Sequence, residues 1–178
     1  MRLAVSGTHR IGKTALLEAI AEQLPTHDRI DEPYRLLEDA GREFADPPTV
    51  DDFERQLRCS LDTIATARGD ALIDRCPLDF VAYLLALDDA YELDDWRPEL
   101  GPAIAALDLI VVLAIETPDR IAVASHEDRR LRRKVDALIQ DLVLGDRLGL
   151  EPAAVEVAGD LDARVHQVMR AMRVVRRR

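Results

Sequence analysis

The segment from Arg2 to Thr14 constrains this chain more than any other. A short apolar stretch, Arg2–Ser6, runs through Gly7-Thr8-His9-Arg10-Ile11-Gly12-Lys13-Thr14 into a helical stripe of Leu16, Leu17, Ile20, Ala21 and Leu24, which Pro25 stops. The eight residues satisfy G-x-x-x-x-G-K-[ST], and they lie where that pattern's mechanism needs them, after a strand and at the opening of a helix. Gly7 and Gly12 let the backbone curl so that its amides point inward at an anion, and the helix N-terminus adds a favourable field. Lys13 then supplies a cation for phosphate oxygens and Thr14 a hydroxyl for Mg2+. Lysine usage makes the match hard to assign to background, because of 24 basic residues only Lys13 and Lys134 are lysines. The alternative reading of the same residues is a glycine-bearing strand–helix turn that binds nothing.

Composition narrows the class. A chain of 178 residues with 48% apolar side chains is long enough to build its own core. One domain, residues 1–178, is expected. The formal charge of -10 argues against general nucleic-acid binding, for which a basic domain is expected. No apolar run reaches membrane-spanning length, and the first ten residues carry no signal-like apolar stretch, so a cytoplasmic protein without membrane contact is expected. Cys59 and Cys76 are too few for a disulfide framework or a zinc site. The histidines His27, His126 and His166 have no metal-ligand spacing.

Strand-like and helix-like segments alternate along the chain. Residues 26–48 read as polar and irregular, with a short strand ending near Glu32. Thr49 and Asp52 form a capping-box-like start to a helix striped by Phe53, Leu57, Leu61 and Ile64. Ala71–Ile73 is a short strand closed by Asp74 and Arg75, and Pro77 fits the first turn of a helix ending near Leu87. Residues 88–101 read as an acidic loop, followed by a short helix near 102–107. Asp108–Ile115 is a continuous apolar run, read as a central strand buried on both faces. A basic helix over Ser125–Leu144, a strand over Ala153–Ala158 and a helix striped by Leu161, Val165, Val168 and Met172 complete the pattern. The expected architecture is α/β, three-layered, with a mainly parallel five-stranded sheet and helices on both faces.

A phosphate-binding loop of this kind works with a metal-orienting carboxylate at the end of another strand. Asp74 and Glu116 are the candidates. Asp74 is preferred because Arg75 follows it, although Asp74 also fits the N-cap position before Pro77. Thr14 and Asp74 are therefore the expected Mg2+ residues.

The loop together with Asp74-Arg75-Cys76-Pro77-Leu78-Asp79-Phe80 and Tyr83 resembles the small P-loop kinases, among them thymidylate kinases, deoxynucleoside kinases and the NadR-like ATPases grouped with the AAA family. The resemblance covers nearly the whole chain. It implies a P-loop NTPase fold, ATP and Mg2+ as cofactors, Asp74 serving the metal and Arg75 holding a phosphate. It makes Glu32, in Glu32-Pro33-Tyr34-Arg35, a base or substrate ligand, with Arg35 nearby. It sets Gln56 near the place of a base-reading glutamine, although the spacing fits a helix-surface residue as well. It also marks residues 119–134 as a lid whose arginines neutralise charge. Arg129 and Arg133 share one helical face there and are the preferred pair; Arg130 and Lys134 share another. Gly159, in Val157-Ala158-Gly159-Asp160, resembles a purine-contacting turn, with Asp160 available as an N-cap. Tyr34, Phe44, Phe53 and Tyr83 are candidates for an acceptor pocket.

The function these readings favour is γ-phosphoryl transfer from ATP to a small-molecule acceptor, nucleoside-like or a cofactor precursor. The alternatives are a regulatory ATPase or NTP-dependent switch and a nucleotide-binding module without catalysis. A guanine reader of the N-K-x-D type is excluded, since the chain has no Asn. Oligomeric state stays open, a homodimer among the options.

Overall fold

The computed structural model describes residues 1–116 and 129–176. Five strands, β1 (Arg2–Ser6), β2 (Asp28–Ile30), β3 (Ala71–Asp74), β4 (Leu109–Leu113) and β5 (Ala154–Val157), form one sheet among the described residues. Their spatial order is β2-β3-β1-β4-β5, and every pairing is parallel. The helices are α1 (Lys13–Gln23), α2 (Pro33–Asp39), α3 (Val50–Thr66), α4 (Pro77–Leu87), α5 (Arg97–Ala105), α6 (Arg129–Ile139) and α7 (Leu161–Val175). A π-helical turn over Gln140–Leu144 extends α6.

Alternation along the strands explains the layering. Leu3, Val5, Leu72, Leu109, Val111 and Leu113 face α1 and α7, burying Leu16, Ile20, Val168 and Met172. Ala4, Ile73, Ile110 and Val112 face the other way, onto the cluster of Leu57, Phe80, Leu84, Ile104 and Ile139 from α3 to α6. With both faces covered, the central strands are apolar through Leu3–Val5, Ala71–Ile73 and Leu109–Leu113, which is why they read as short unbroken runs.

The structure extends the sequence reading in two places. Helix α2 lies inside the stretch read as irregular; Pro33 sets its first turn, and seven residues are too few to display a helical period. Helix α5 starts at Arg97, earlier than expected, with Pro98 tolerated in its first turn and Pro102 in its interior. Thr49 and Asp52 do form a capping box on α3. Strand β4 ends at Leu113, so Glu116 lies beyond it. The first part of the expected lid, including Arg120, lies outside the described residues.

Candidate active site

The site forms at the carboxyl ends of β1 and β3, where parallel sheets hold their ligands. Val5 pairs with Asp74 in the sheet register, so the loop after β1 and the carboxylate ending β3 are neighbours by construction. Gly7 takes φ +150, and a Cβ there would stand 2.7 Å from the Leu113 carbonyl oxygen. The loop therefore rests against β4 at a distance only glycine allows. Gly12 adopts a left-handed conformation as the N-cap of α1 and offers no side chain to the first amides of that helix.

Lys13 curls back so that Nζ donates to the Thr8 carbonyl at 2.9 Å, and it is 6% exposed. Burial lowers its pKa to about 8, with the Arg75 charge adding to the shift and Asp79, Asp74 and Glu32 opposing it. Thr14 is exposed, and its Oγ1 lies 3.5 Å from Asp74 Oδ2. Asp74 Oδ1 is buried without a hydrogen-bond partner. Burial raises the Asp74 carboxyl above its usual range, with Glu32 adding to the rise and Lys13 and Arg75 opposing it. A hydroxyl beside a carboxylate whose other oxygen is buried and unpartnered is a fitting donor set for Mg2+, which binds through one or two protein oxygens and keeps the rest of its shell for water and phosphate. Among the described residues no group of three or more His, Cys, Asp or Glu side chains forms a closed metal cage.

Arg75 occupies a left-handed conformation at φ +79, unusual for a side chain other than glycine. Its Nε donates to Glu32 Oε2 at 2.9 Å and its Nη1 to the Gly7 carbonyl at 3.3 Å. The guanidinium also stands over the rings of Phe80 and Tyr83, at 5.9 and 5.7 Å from their centroids. Burial works to raise the Glu32 carboxyl, but the Arg75 charge and hydrogen bond, with Lys13 and Arg35 behind them, hold it below the usual range.

Beyond this pair opens a cleft of about 540 Å³, lined by His9, Glu32, Phe53, Gln56, Arg75 and Tyr83 among others. Phe53 and Tyr83 stack at 4.5 Å between centroids and 9° between planes, giving the cleft a flat aromatic wall. Tyr34 lines it too, and Phe44 stacks on Tyr34 at 4.5 Å. Gln56 is buried at the cleft rather than displayed on the helix surface, with Nε2 donating to the Asp52 carbonyl.

The candidate residues fall into three groups. Gly7, Thr8, His9, Arg10, Ile11, Gly12, Lys13, Thr14, Asp74, Arg75 and Glu32 come together. Glu116 does not join Asp74; it accepts from the Gly159 amide at 2.8 Å and from Arg164 Nη2 at 2.9 Å. Gly159, at φ +101, thus spends its amide on Glu116, and Asp160 caps α7 through the Ala163 amide. Arg129 and Arg133 are exposed on α6, and the helix turns Arg132 to the loop instead. Cys76 rather than Asp74 is the N-cap of α4, without a side-chain hydrogen bond.

Sequence reasoning missed Asp79 and passed over the loop contact of Tyr83. Asp79 is fully buried, accepts from the Ser6 hydroxyl and from the Gly7 amide at 3.2 Å, and faces Arg75. Burial raises its pKa to about 6 against the pull of Arg75 and Lys13. The Tyr83 hydroxyl accepts the His9 amide at 3.1 Å and lies 3.0 Å from His9 Nδ1. The usable signal was spacing: Asp79 and Tyr83 are four residues apart and so share a face of α4, and Arg75 stands just before that helix.

Comparison with known proteins bears on the fold. No family model and no curated protein sequence matches the chain. Solved structures do. NadR in complex with NR superposes with a TM-score of 0.69 at 19% identity over 98% of this chain. Deoxyadenosine kinase from M. mycoides with bound dATP gives 0.67 at 13% identity, over 97% of this chain and all of its own. The fold is that of the P-loop kinases. Thymidylate kinase from Candida albicans adds a third instance, with a TM-score of 0.65 at 14% identity over 97% of this chain and 91% of its own. The chain spans about half the length of the NadR chains, matching 49% of them. Among the described residues no helix is long and apolar enough to cross a membrane.

Proposed function

We propose that this P-loop chain is an ATP-dependent kinase acting on a small-molecule acceptor, nucleoside-like or a cofactor precursor. One observation carries the reading: the Lys13–Thr14–Asp74 cluster adjoins a separate aromatic cleft, and Glu32 and Arg75 stand where the two meet. A loop that only binds or hydrolyses nucleotide needs no second pocket. Group transfer needs two sites that share a border.

In this reading the loop amides and the N-terminus of α1 hold the phosphates, and Lys13 gives a point charge to the transferring group. Thr14 and Asp74 hold Mg2+, which when bound neutralises charge on the phosphate oxygens. Phe53 and Tyr83 stack the acceptor, and Gln56 offers it a polar edge. Glu32, ionised at neutral pH, accepts the hydrogen bond of the acceptor hydroxyl and draws off its proton as the oxygen becomes a nucleophile. Arg75 orients Glu32 and sets its charge. The solved neighbours are described with AMP-PNP, dATP, NR and dCMP bound, which supports a nucleotide-plus-small-molecule site of this kind.

The testing experiment is ADP release from ATP–Mg2+ across nucleosides, nucleotides, nicotinamide riboside and amino alcohols. A jump with one acceptor supports the kinase. A flat, low rate with ATP demonstrably bound favours a switch or a binding module.

A further inference from the structure

The carbonyls of the phosphate-binding loop are all held, while of its amides Gly7 donates to Asp79 and His9 to the Tyr83 hydroxyl. From Gly7 to Gly12, each carbonyl accepts a hydrogen bond. Gly7 receives Arg75 Nη1 at 3.3 Å and Thr8 receives Lys13 Nζ at 2.9 Å. His9 and Arg10 receive Arg132 Nε and Nη2 at 3.2 and 3.1 Å. Ile11 receives Arg164 Nη1 at 3.1 Å, and Gly12 receives the Leu16 amide at 3.1 Å. Three of these six carbonyls depend on two arginines from elements on opposite faces of the sheet, α6 and α7.

Neither arginine sits where packing alone would put it. Arg132 is 3% exposed and shares the inward stripe of α6 with Val135 and Ile139, while Arg129, Arg130 and Arg133 on the same helix are exposed. An apolar side chain would fill that stripe without desolvating a charge. Arg164 is similarly buried on α7, and its aim is set by Glu116, which accepts from Nη2.

Carbonyl and amide of one peptide unit point in opposite directions. Anchoring the His9, Arg10 and Ile11 carbonyls therefore aims the amides of the next residues, Arg10, Ile11 and Gly12, the opposite way and keeps those three oxygen dipoles off an anion. We infer that Arg132 and Arg164 are positioning residues: they hold the His9, Arg10 and Ile11 carbonyls away from the anion site, so that the loop is already in its phosphate-binding form when empty. The inference rests on the nucleotide-binding reading of the loop. It assigns Arg132 to the loop backbone and not to the transferring phosphate.

The test is fluorescent ATP-analogue titration together with steady-state kinetics on the full chain. Arg132→Leu keeps the bulk on the α6 stripe and removes both donors. It should weaken nucleotide binding about tenfold or more, the scale of losing hydrogen bonds from a charged donor, with the acceptor KM unchanged and thermal unfolding of the empty protein no earlier than wild type. Arg132→Lys keeps the charge but cannot fork onto two carbonyls, and should fall between the two. Should the leucine variant not fold, the lysine variant decides alone: folded and binding like wild type, it overturns the inference. Wild-type affinity in folded Arg132→Leu overturns it too. So does a loss confined to kcat with nucleotide affinity intact, which would mean that Arg132 reaches the reacting phosphate. Lys13→Ala is the separate control, because unchanged nucleotide affinity there would instead defeat the reading of the loop on which the inference stands.

Discussion

Arg75 Nε donates to Glu32 Oε2 across 2.9 Å, tying the residue that leaves β3 to the N-cap residue of α2. The pair stands between the phosphate-binding loop and the aromatic cleft, since Arg75 also reaches the Gly7 carbonyl while both residues line the cleft. Glu32 is therefore ionised and oriented before any acceptor arrives. Glu32→Gln keeps an acceptor for Arg75 but removes the base. We expect kcat to fall by about 100-fold or more, with nucleotide affinity unchanged; a stopped-assay comparison of kcat with nucleotide Kd checks it.

Lys13 is the cation the loop is built around. Lys13→Ala should lower nucleotide affinity and acceptor-dependent turnover by about 100-fold or more, the scale of losing key charge stabilisation, while circular dichroism and the unfolding midpoint stay close to wild type. The buried ammonium is disfavoured in the empty site, so its removal does not cost the fold a supporting charge.

The same burial gives nucleotide binding a pH dependence. With Lys13 near a pKa of about 8 when the site is empty, phosphate oxygens favour its charged form and raise that value on binding. Below pH 8 the proton is already present and affinity is flat. Above it, binding must take up a proton, and affinity should weaken about tenfold by pH 9. Calorimetry in buffers of different ionisation enthalpy would register that uptake, and Lys13→Ala should abolish it.

Asp74→Asn tests the metal role. The substitution leaves a side chain of the same shape beside Thr14 but a poor Mg2+ ligand. Mg2+-dependent turnover should fall by at least about 100-fold, with the Mg2+ concentration for half-maximal rate shifted upward. Glu116→Gln should leave the metal dependence alone, because Glu116 faces Arg164 and Gly159.

Gly7→Ala tests the seat of the loop. A Cβ at 2.7 Å from the Leu113 carbonyl, at a φ of +150, forces the loop off β4. Nucleotide binding should be lost and the unfolding midpoint lowered, as read by thermal melts with and without ATP–Mg2+.

Much of this architecture was legible in the sequence because its signals are local. The strand–loop–helix unit around Lys13, the apolar run of β4 and the Thr49–Asp52 box each announce themselves within a few residues. So did Asp74, since a carboxylate closing a buried strand has few other places to go. What sequence could not deliver was aim. Among the arginines of α6, position 132 keeps step with Val135 and Ile139, but an arginine run reads as a solvated face; the packing of α6 against α4 buries Arg132, while Arg129 and Arg133 turn outward. Asp79 was hidden for a related reason: its partners Ser6 and Gly7 lie more than seventy residues away, brought close by the pairing of β1 with β3. Helix α2 was too short to show a period, yet it carries Tyr34 to the cleft.

Phosphoryl transfer between two adjoining sites is tested best by following the phosphoryl group itself. ATP labelled at the γ-phosphate is incubated with the protein, Mg2+ and the acceptor panel, and the label is traced by mass spectrometry. Label should appear on one acceptor's hydroxyl, dependent on Lys13 and Asp74. Label recovered only as inorganic phosphate, at a rate no acceptor alters, would rule out transfer to a small-molecule acceptor.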